Sequence, residues 1–434
     1  MNRTARDVPN TAGDAVASGL NGENSPDAVL RQQESYLREV RAASERTLSV
    51  RLSAAGFADI SQNALLLLSA MFINEAAARE LIRKLGIDSQ AAGQSLETLI
   101  QDGYLKLPDN SDERRGPDIA ITEQGHAVLN EAQSCVLATR WADFPFRPGD
   151  IVICTTPKSG TTWMQMICAL LIFQSPELPA PMPVISPWMD YGFARDETFA
   201  KLAAQEHRRF IKTHAPLNDI PADPRVTYIV VGRHPLDAAV SQHHQNRVLL
   251  SGNASRPSDD PGRARERQRQ WLVQRITRMG TSPGRRPSYF DKMLTYLVAV
   301  WARRNEPNVV LVHYEDLSAD LSGEMHRLAA HLDITVPGQK WPSLVKAATF
   351  KQMRATADRS QPLRDEMYGV SRDHADHAAF FRRGTSGEGR ALLTDDELAR
   401  YYARAAQLAP PDLLAWLHHQ DESSQGNPLP IGDH

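Results

Sequence analysis

The stretch that most limits how this chain can fold is an apolar run, Ile151-Val152-Ile153-Cys154, that passes through a few small and hydroxyl-bearing residues straight into a second apolar run. Asp150–Thr155 reads as a buried strand and Thr161–Phe173 as a helix, with only a tight turn between them. A strand that feeds a helix so directly belongs to a mostly parallel α/β sheet covered by helices on both faces. The turn brings backbone N–H groups and the positive end of the helix dipole to one spot, which makes an anion site, and Lys158 adds a full charge there. No glycine stands five residues before that lysine, and the order is Lys-Ser-Gly-Thr-Thr, so this is not the nucleotide-triphosphate loop of a kinase or NTPase.

Downstream, Arg209–Lys212, Val226–Val231 and Val309–Val312 read as strands and Pro235–Asn246 as a helix, so ligands are expected at the carboxyl ends of the strands. With 434 residues there is room for two domains, and a formal net charge of −3 exerts no global pull toward nucleic acid or membrane. The apolar runs Ala64–Phe72 and Met164–Phe173 fall short of the roughly 20 residues that span a bilayer. Three cysteines without paired or ligand spacing, Cys135, Cys154 and Cys168, point to free thiols in a reducing, cytoplasmic setting, and no acid or histidine cluster asks for a metal. Met1 to about Pro26 is polar and lacks the apolar run of a signal peptide.

Arg233 stands at a strand end, and the proline-started helix after it brings Ser241 round two turns later, so a guanidinium and a hydroxyl can converge on one phosphate. Arg209-Phe210-Ile211-Lys212-Thr213-His214 delivers Lys212 and His214 to the end of another strand. Histidine titrates near working pH and suits the removal of a hydroxyl proton.

Pro157-Lys158-Ser159-Gly160-Thr161-Thr162-Trp163 resembles the P-loop-like phosphosulfate loop of cytosolic-type sulfotransferases, and four further motifs follow in family order from about Arg147 to Leu393. The resemblance implies a sulfotransferase fold and transfer of a sulfuryl group from 3′-phosphoadenosine 5′-phosphosulfate (PAPS) to a hydroxyl of a small-molecule acceptor, aromatic or a natural product. It implies that Lys158, Ser159, Gly160, Thr161 and Thr162 hold the 5′-phosphosulfate, with Trp163 on the adenine. Arg233 and Ser241 would take the 3′-phosphate, His214 would be the base, and Lys158 and Lys212 would stabilise charge on the leaving group. Val312-His313-Tyr314-Glu315-Asp316 and Thr349-Phe350 resemble segments beside the base, which puts Tyr314 and Phe350 near the adenine. Arg382, Arg383 and Gly384 resemble the C-terminal Arg-Lys-Gly clamp, with Arg383 in place of the usual lysine and Gly389 where many members carry tryptophan. By the same resemblance Trp188, Met189, Tyr191 and Phe193 border the acceptor, or equally serve as packing residues. Arginines between Arg256 and Arg286 read as a solvated helix face or as a basic rim for an anionic or carrier-held acceptor.

The N-terminal part runs helix Gln62–Phe72, helix Glu75–Leu85, helix Ser89–Gln101, strand Tyr104–Leu107, strand Ile119–Ile121 and helix Thr122–Ala132, after an amphipathic segment from Ala28 to Arg51. From Asp102 through Arg114-Arg115 to Gly125 it resembles the wing of MarR-type winged helix-turn-helix regulators. Arg114 and Arg115 suit a wing, but Ser89–Gln101 has no Lys or Arg and carries Glu97, so DNA binding is disfavoured against an interaction, dimerisation or substrate-covering role. The expected organisation is a tail (1–26), a small winged-helix α+β domain (27–140), a sulfotransferase domain (141–420) and a flexible tail (421–434). A homodimer is compatible with it. The rival from another class is a transcriptional regulator whose sulfotransferase-like part only senses PAPS.

Overall fold

The computed structural model describes residues 26–43, 48–54, 57, 60–73, 78–107, 119–190, 195–251, 260–279, 288–357, 384 and 386–419. The expected C-terminal tail, the expected N-terminal tail except Pro26, the wing arginines Arg114 and Arg115, Tyr191, Phe193, Arg382 and Arg383 lie outside these residues. The chain divides into two units, the first reaching to Thr139 and the second beginning at Arg140, with 195–197 counted in the first.

In the first unit the helices are α1 (Pro26–Ala43), α2 (Ser49–Ala54), α3 (Gln62–Ile73), α4 (Ala78–Lys84) and α5 (Ser89–Gln101). Strands β1 (Leu105–Lys106) and β2 (Ala120–Ile121) pair antiparallel, and α6 (Glu123–Ala142) follows. α3 is apolar on every side because it is the centre of this unit's core: Ala64, Leu65, Leu66, Leu68 and Ala70 are all buried. Asp88 caps α5 by accepting the Ala91 N–H at 2.8 Å. Thr122 caps α6 through the Gly125 N–H (3.1 Å) and donates its hydroxyl to the Gly103 carbonyl (2.7 Å), which fastens the helix start to the end of the α5–β1 turn. Gly125 is needed there, since a Cβ would collide with the Tyr104 carbonyl. α6 runs ten residues beyond the expected end at Ala132: Cys135 and Val136 continue its buried stripe, and the first proline comes only at Pro145.

The second unit is built on a parallel sheet of β3 (Ile151–Thr155), β4 (Phe210–Thr213), β5 (Thr227–Gly232) and β6 (Val309–His313), in the order β4-β3-β5-β6. All five residues of β3 are buried, as a central strand covered on both faces requires, and each large aliphatic there contributes about 1.5–3 kcal/mol on burial. Helix α7 (Thr161–Phe173) packs its Met164, Ile167, Cys168 and Leu171 into the same core as Ile151, Ile153, Ile229 and Val231. Beneath the sheet, Asp150 and Arg209, both 2% exposed, form a two-pronged ion pair, and the Arg147 N–H gives Asp150 a further bond of 2.8 Å. That pair ties the entrances of β3 and β4.

The chain leaves β3 toward β4 on one side, whereas β5 leads to β6 on the other. The carboxyl ends of β3 and β5 therefore flank the point where the winding reverses, the place where open α/β sheets bind ligands. Around it stand α8 (Pro235–Ser251), α9 (Pro261–Thr277), α10 (Tyr289–Ala302), the short α11 (Tyr314–Ala319), α12 (Trp341–Ala348), α13 (Phe350–Ala357), α14 (Glu388–Leu392) and α15 (Asp395–Ala405). The described part of the arginine-dense segment is mostly the helix α9, with Arg256, Arg285 and Arg286 outside the described residues. It buries Leu272 and Ile276, pairs Arg269 with Glu397 at 2.5 Å and sends the Arg265 guanidinium to the Ala391 carbonyl, so part of its charge tethers it to α14 and α15. Cys135, Cys154 and Cys168 are buried free thiols. Among the described residues no helix is long and apolar enough to cross a membrane.

Candidate active site

The loop from β3 to α7 is shaped by two left-handed residues, Lys158 (φ 67°) and Gly160 (φ 107°). Gly160 has a second constraint, because a Cβ would lie 3.0 Å from the Tyr314 ring. It is also the N-cap of α7 and offers no capping side chain, so helix geometry leaves the N–H groups of Thr161, Thr162 and Trp163 without intrahelical acceptors. With Lys158 beside it this is an anion site of the kind the sequence indicates. Hydroxyls brace the loop from inside: Thr155 bonds Thr161, and Thr156 bonds Ser159 at 2.7 Å.

Arg233, at the exit of β5, reaches across the reversal point and donates to the Lys158 carbonyl at 3.0 Å, with its guanidinium 4.2 Å from the centre of the Tyr314 ring. Tyr314 in turn meets Trp163 edge-on at 5.3 Å, and the Trp163 indole N–H is held by the Ala348 carbonyl at 2.8 Å. Phe350 packs on the same core, and Gly384 (φ 64°) lies so close that a Cβ would be 2.6 Å from the Phe350 ring. Residues from five separate stretches, Gly160 and Trp163, Arg233, Tyr314, Phe350, and Gly384, thus share one neighbourhood. Ser241 is half-buried on α8.

The second half of the site lies at the ends of β3 and β4. His214 Nδ1 stands 2.8 Å from the Thr155 carbonyl. A carbonyl only accepts, so Nδ1 carries the proton and Nε2 keeps the lone pair. Burial, together with Lys212 and against the pull of Asp190, brings the His214 pKa down to about 4, so the ring is neutral across the ordinary pH range. Lys212 projects its ammonium 3.9 Å from the centre of the Trp188 ring, and burial brings its pKa to about 8 in spite of Asp190. Trp188 also meets the His214 ring edge-on at 5.3 Å.

Asp190 organises this half, and no sequence pattern marks it. Its carboxylate accepts the His214 N–H and, at 2.5 Å, the Thr213 hydroxyl. The segment before it lies along β4, with the Met189 N–H on the Lys212 carbonyl (2.9 Å) and the Arg140 guanidinium on the Met189 carbonyl (2.9 Å). Met189 is wholly buried and packs this segment down, which favours the packing alternative for its side chain. His243, on α8, has its ring 4.4 Å from that of Trp271 on α9. Asp237, in the first turn of α8, is a second residue the motifs do not reveal; it accepts the Gly387 and Gly389 N–H groups at 2.7 Å each. One further cluster, His313, Asp316 and His419, is occupied internally, since His313 accepts the Glu315 N–H (3.2 Å) and lies 3.3 Å from the Leu417 carbonyl.

Comparison with known proteins gives a match to the family model described as sulfotransferase domain over residues 148–409, more than half of the chain. A glycolipid sulfotransferase of Mycobacterium bovis BCG is 41% identical over 301 residues, covering 64% of this chain and 90% of that protein. One of Mycobacterium tuberculosis H37Rv is 40% identical over 300 residues, with the same coverage. A crystal structure of the mouse sulfotransferase SULT7A1 complexed with PAP aligns with a TM-score of 0.48 at 20% identity, over 66% of this chain and 93% of that one. The strand-loop-helix anion site, the fully buried parallel strand beneath it, the family model over residues 148–409 and the 41% identical mycobacterial relative lead to one assignment: the chain belongs to the sulfotransferase family and is an enzyme of that family.

Proposed function

We propose that the enzyme transfers a sulfuryl group from PAPS to a hydroxyl of a small-molecule acceptor, with His214 as the general base. The observation that carries this reading is the His214 ring itself: its Nδ1–H is committed to the Thr155 carbonyl, its Nε2 keeps the lone pair on a neutral ring, and the charges of Lys212 and of Lys158 in the anion loop both act on it. The residues present fit the donor. An uncapped helix N-terminus and Lys158 suit a 5′-phosphosulfate, and Arg233 with Ser241 and the Arg382-Arg383-Gly384 run suits a 3′-phosphate. Trp163, Tyr314 and Phe350 supply an aromatic wall for the base. Bound there, PAPS supplies an electrophilic sulfur on a stabilised leaving phosphate. His214 Nε2 takes the proton of the acceptor hydroxyl, while Lys158 and the charged form of Lys212 favour the state in which negative charge has moved toward the leaving oxygen.

For the acceptor, the mycobacterial relatives favour a glycolipid hydroxyl within the broader class of ring-bearing or apolar alcohols, and Trp188 provides an aromatic border. We read the first unit as a MarR-like winged helix in a non-DNA role; the antiparallel β1–β2 pair after three helices supports the former, and the absence of Lys and Arg from α5 supports the latter. A cytoplasmic setting and a homodimer belong to the same reading. Incubation with PAPS and separate glycolipid, phenol and steroid-like fractions, followed by mass spectrometry for products one sulfuryl group heavier, tests the reaction and the acceptor class together. A sulfated product from the glycolipid fraction is the expected result; no sulfated product and no 3′,5′-ADP from any fraction overturns the reading.

A further inference from the structure

Asp237 is 2% exposed, and its carboxylate holds two backbone N–H groups from a part of the chain 150 residues away in sequence, Gly387 and Gly389. A carboxylate is the wrong charge to set beside a phosphate site, yet Asp237 stands between Arg233 and Ser241, one helical turn before Ser241 on the same face of α8. Its bonds show what it does there. They fix the segment that follows Arg382, Arg383 and Gly384 in the sequence onto the face of α8 that carries Ser241.

The other end of that segment is fixed by shape, with Gly384 in a left-handed conformation against the Phe350 ring. Between the anchors the fit is close enough to require glycine: a Cβ on Gly389 would lie 2.5 Å from the Leu236 carbonyl carbon, so only glycine lets this N–H reach Asp237.

The geometry points to Asp237 as the positioning residue that couples the Ser241 face of α8 to the Gly387–Gly389 turn and thereby shapes the 3′-phosphate site beside Arg233 and Ser241; this rests on the donor reading above. Two charge-assisted bonds to backbone N–H groups are replaced in Asp237→Asn by one acceptor and one NH2 group that faces a donor.

The test compares calorimetric binding of 3′,5′-ADP with that of AMP, which lacks the 3′-phosphate. The wild type binds 3′,5′-ADP more tightly, and Asp237→Asn lowers its affinity for 3′,5′-ADP about tenfold while leaving AMP binding as it was. The same loss falls on the donor KM and leaves the acceptor KM in place. Equal weakening of both nucleotides, or of neither, overturns the inference. A wild type that does not distinguish 3′,5′-ADP from AMP overturns the donor reading itself. If Asp237→Asn does not fold, hydrogen exchange of the wild-type peptide spanning 384–392 decides the matter. Added 3′,5′-ADP, but not AMP, should slow its exchange; no difference between the two nucleotides overturns the coupling.

Discussion

Replacing Lys212 by arginine separates the presence of a charge from its titration. In the wild type the Lys212 ammonium is half-buried against Trp188, and burial lowers its pKa from 10.5 to about 8. Arginine stays protonated throughout the accessible range. If catalysis needs a cation at this position, the protonated fraction of Lys212 falls from about nine-tenths at pH 7 to about one-tenth at pH 9, so kcat/KM for the donor should drop about tenfold over that span. In Lys212→Arg the drop should disappear, on a lower plateau because the planar fork does not reproduce a point charge. The assay is the initial rate of 3′,5′-ADP release at subsaturating donor, since kcat/KM reports the free enzyme. A descending limb that keeps its midpoint in Lys212→Arg would refute the reasoning. On the acid side His214 remains a base down to about 4, and activity should persist well below neutrality. Because the folded-state pKa of His214 lies below its unfolded value of 6.5, the native state binds fewer protons in that window, and its contribution to stability is lost as pH falls from 6.5 toward 4.

Asp190→Asn should move the Lys212 limb to lower pH, since Asp190 is the charge that opposes the effect of burial there; an unmoved limb in the pH–rate profile would show that Asp190 only positions the backbone. Gly160→Ala places a Cβ at φ 107° and 3.0 Å from Tyr314, which costs on the order of 1–3 kcal/mol and should raise the donor KM by tenfold or more; an unchanged KM counts against the loop as the donor site. Arg209→Met strands the buried Asp150 carboxylate and should cost about 3–5 kcal/mol in urea unfolding of the second unit, against less than about 1 kcal/mol if the pair were a surface one.

The strand-loop-helix at Ile151–Phe173 was legible in the sequence because its periodicity and its glycine and hydroxyl residues are local signals, and β4, β5 and β6 followed from short apolar runs of the same kind. His214 could be singled out as a candidate base only through its neighbours Lys212 and Thr213, as a motif. Its tautomer was not legible, because the acceptor that sets it, the Thr155 carbonyl, lies 59 residues away and is a backbone atom with no sequence signature. Asp190 and Asp237 were missed for the same reason: each acts on backbone N–H groups brought near only by the sheet or by the return of the C-terminal loop. An acid in the first turn of a helix is ordinarily explained by the helix dipole, and that explanation concealed the second task of Asp237. Met189 lies in an aromatic-rich segment that reads equally as acceptor border or as packing, and pairing of that segment with Lys212 on β4, which buries the side chain, is a long-range contact that the sequence does not display.

The central claim is that His214 removes the proton from the acceptor hydroxyl. Its most direct test is the single-turnover transfer of radiolabelled sulfuryl from PAPS to the identified acceptor, measured for the wild type and His214→Ala, with 3′,5′-ADP affinity determined on the same samples. The account predicts a rate reduced by roughly 10²–10⁴-fold with nucleotide affinity unchanged. Transfer at close to the wild-type rate in His214→Ala would contradict it.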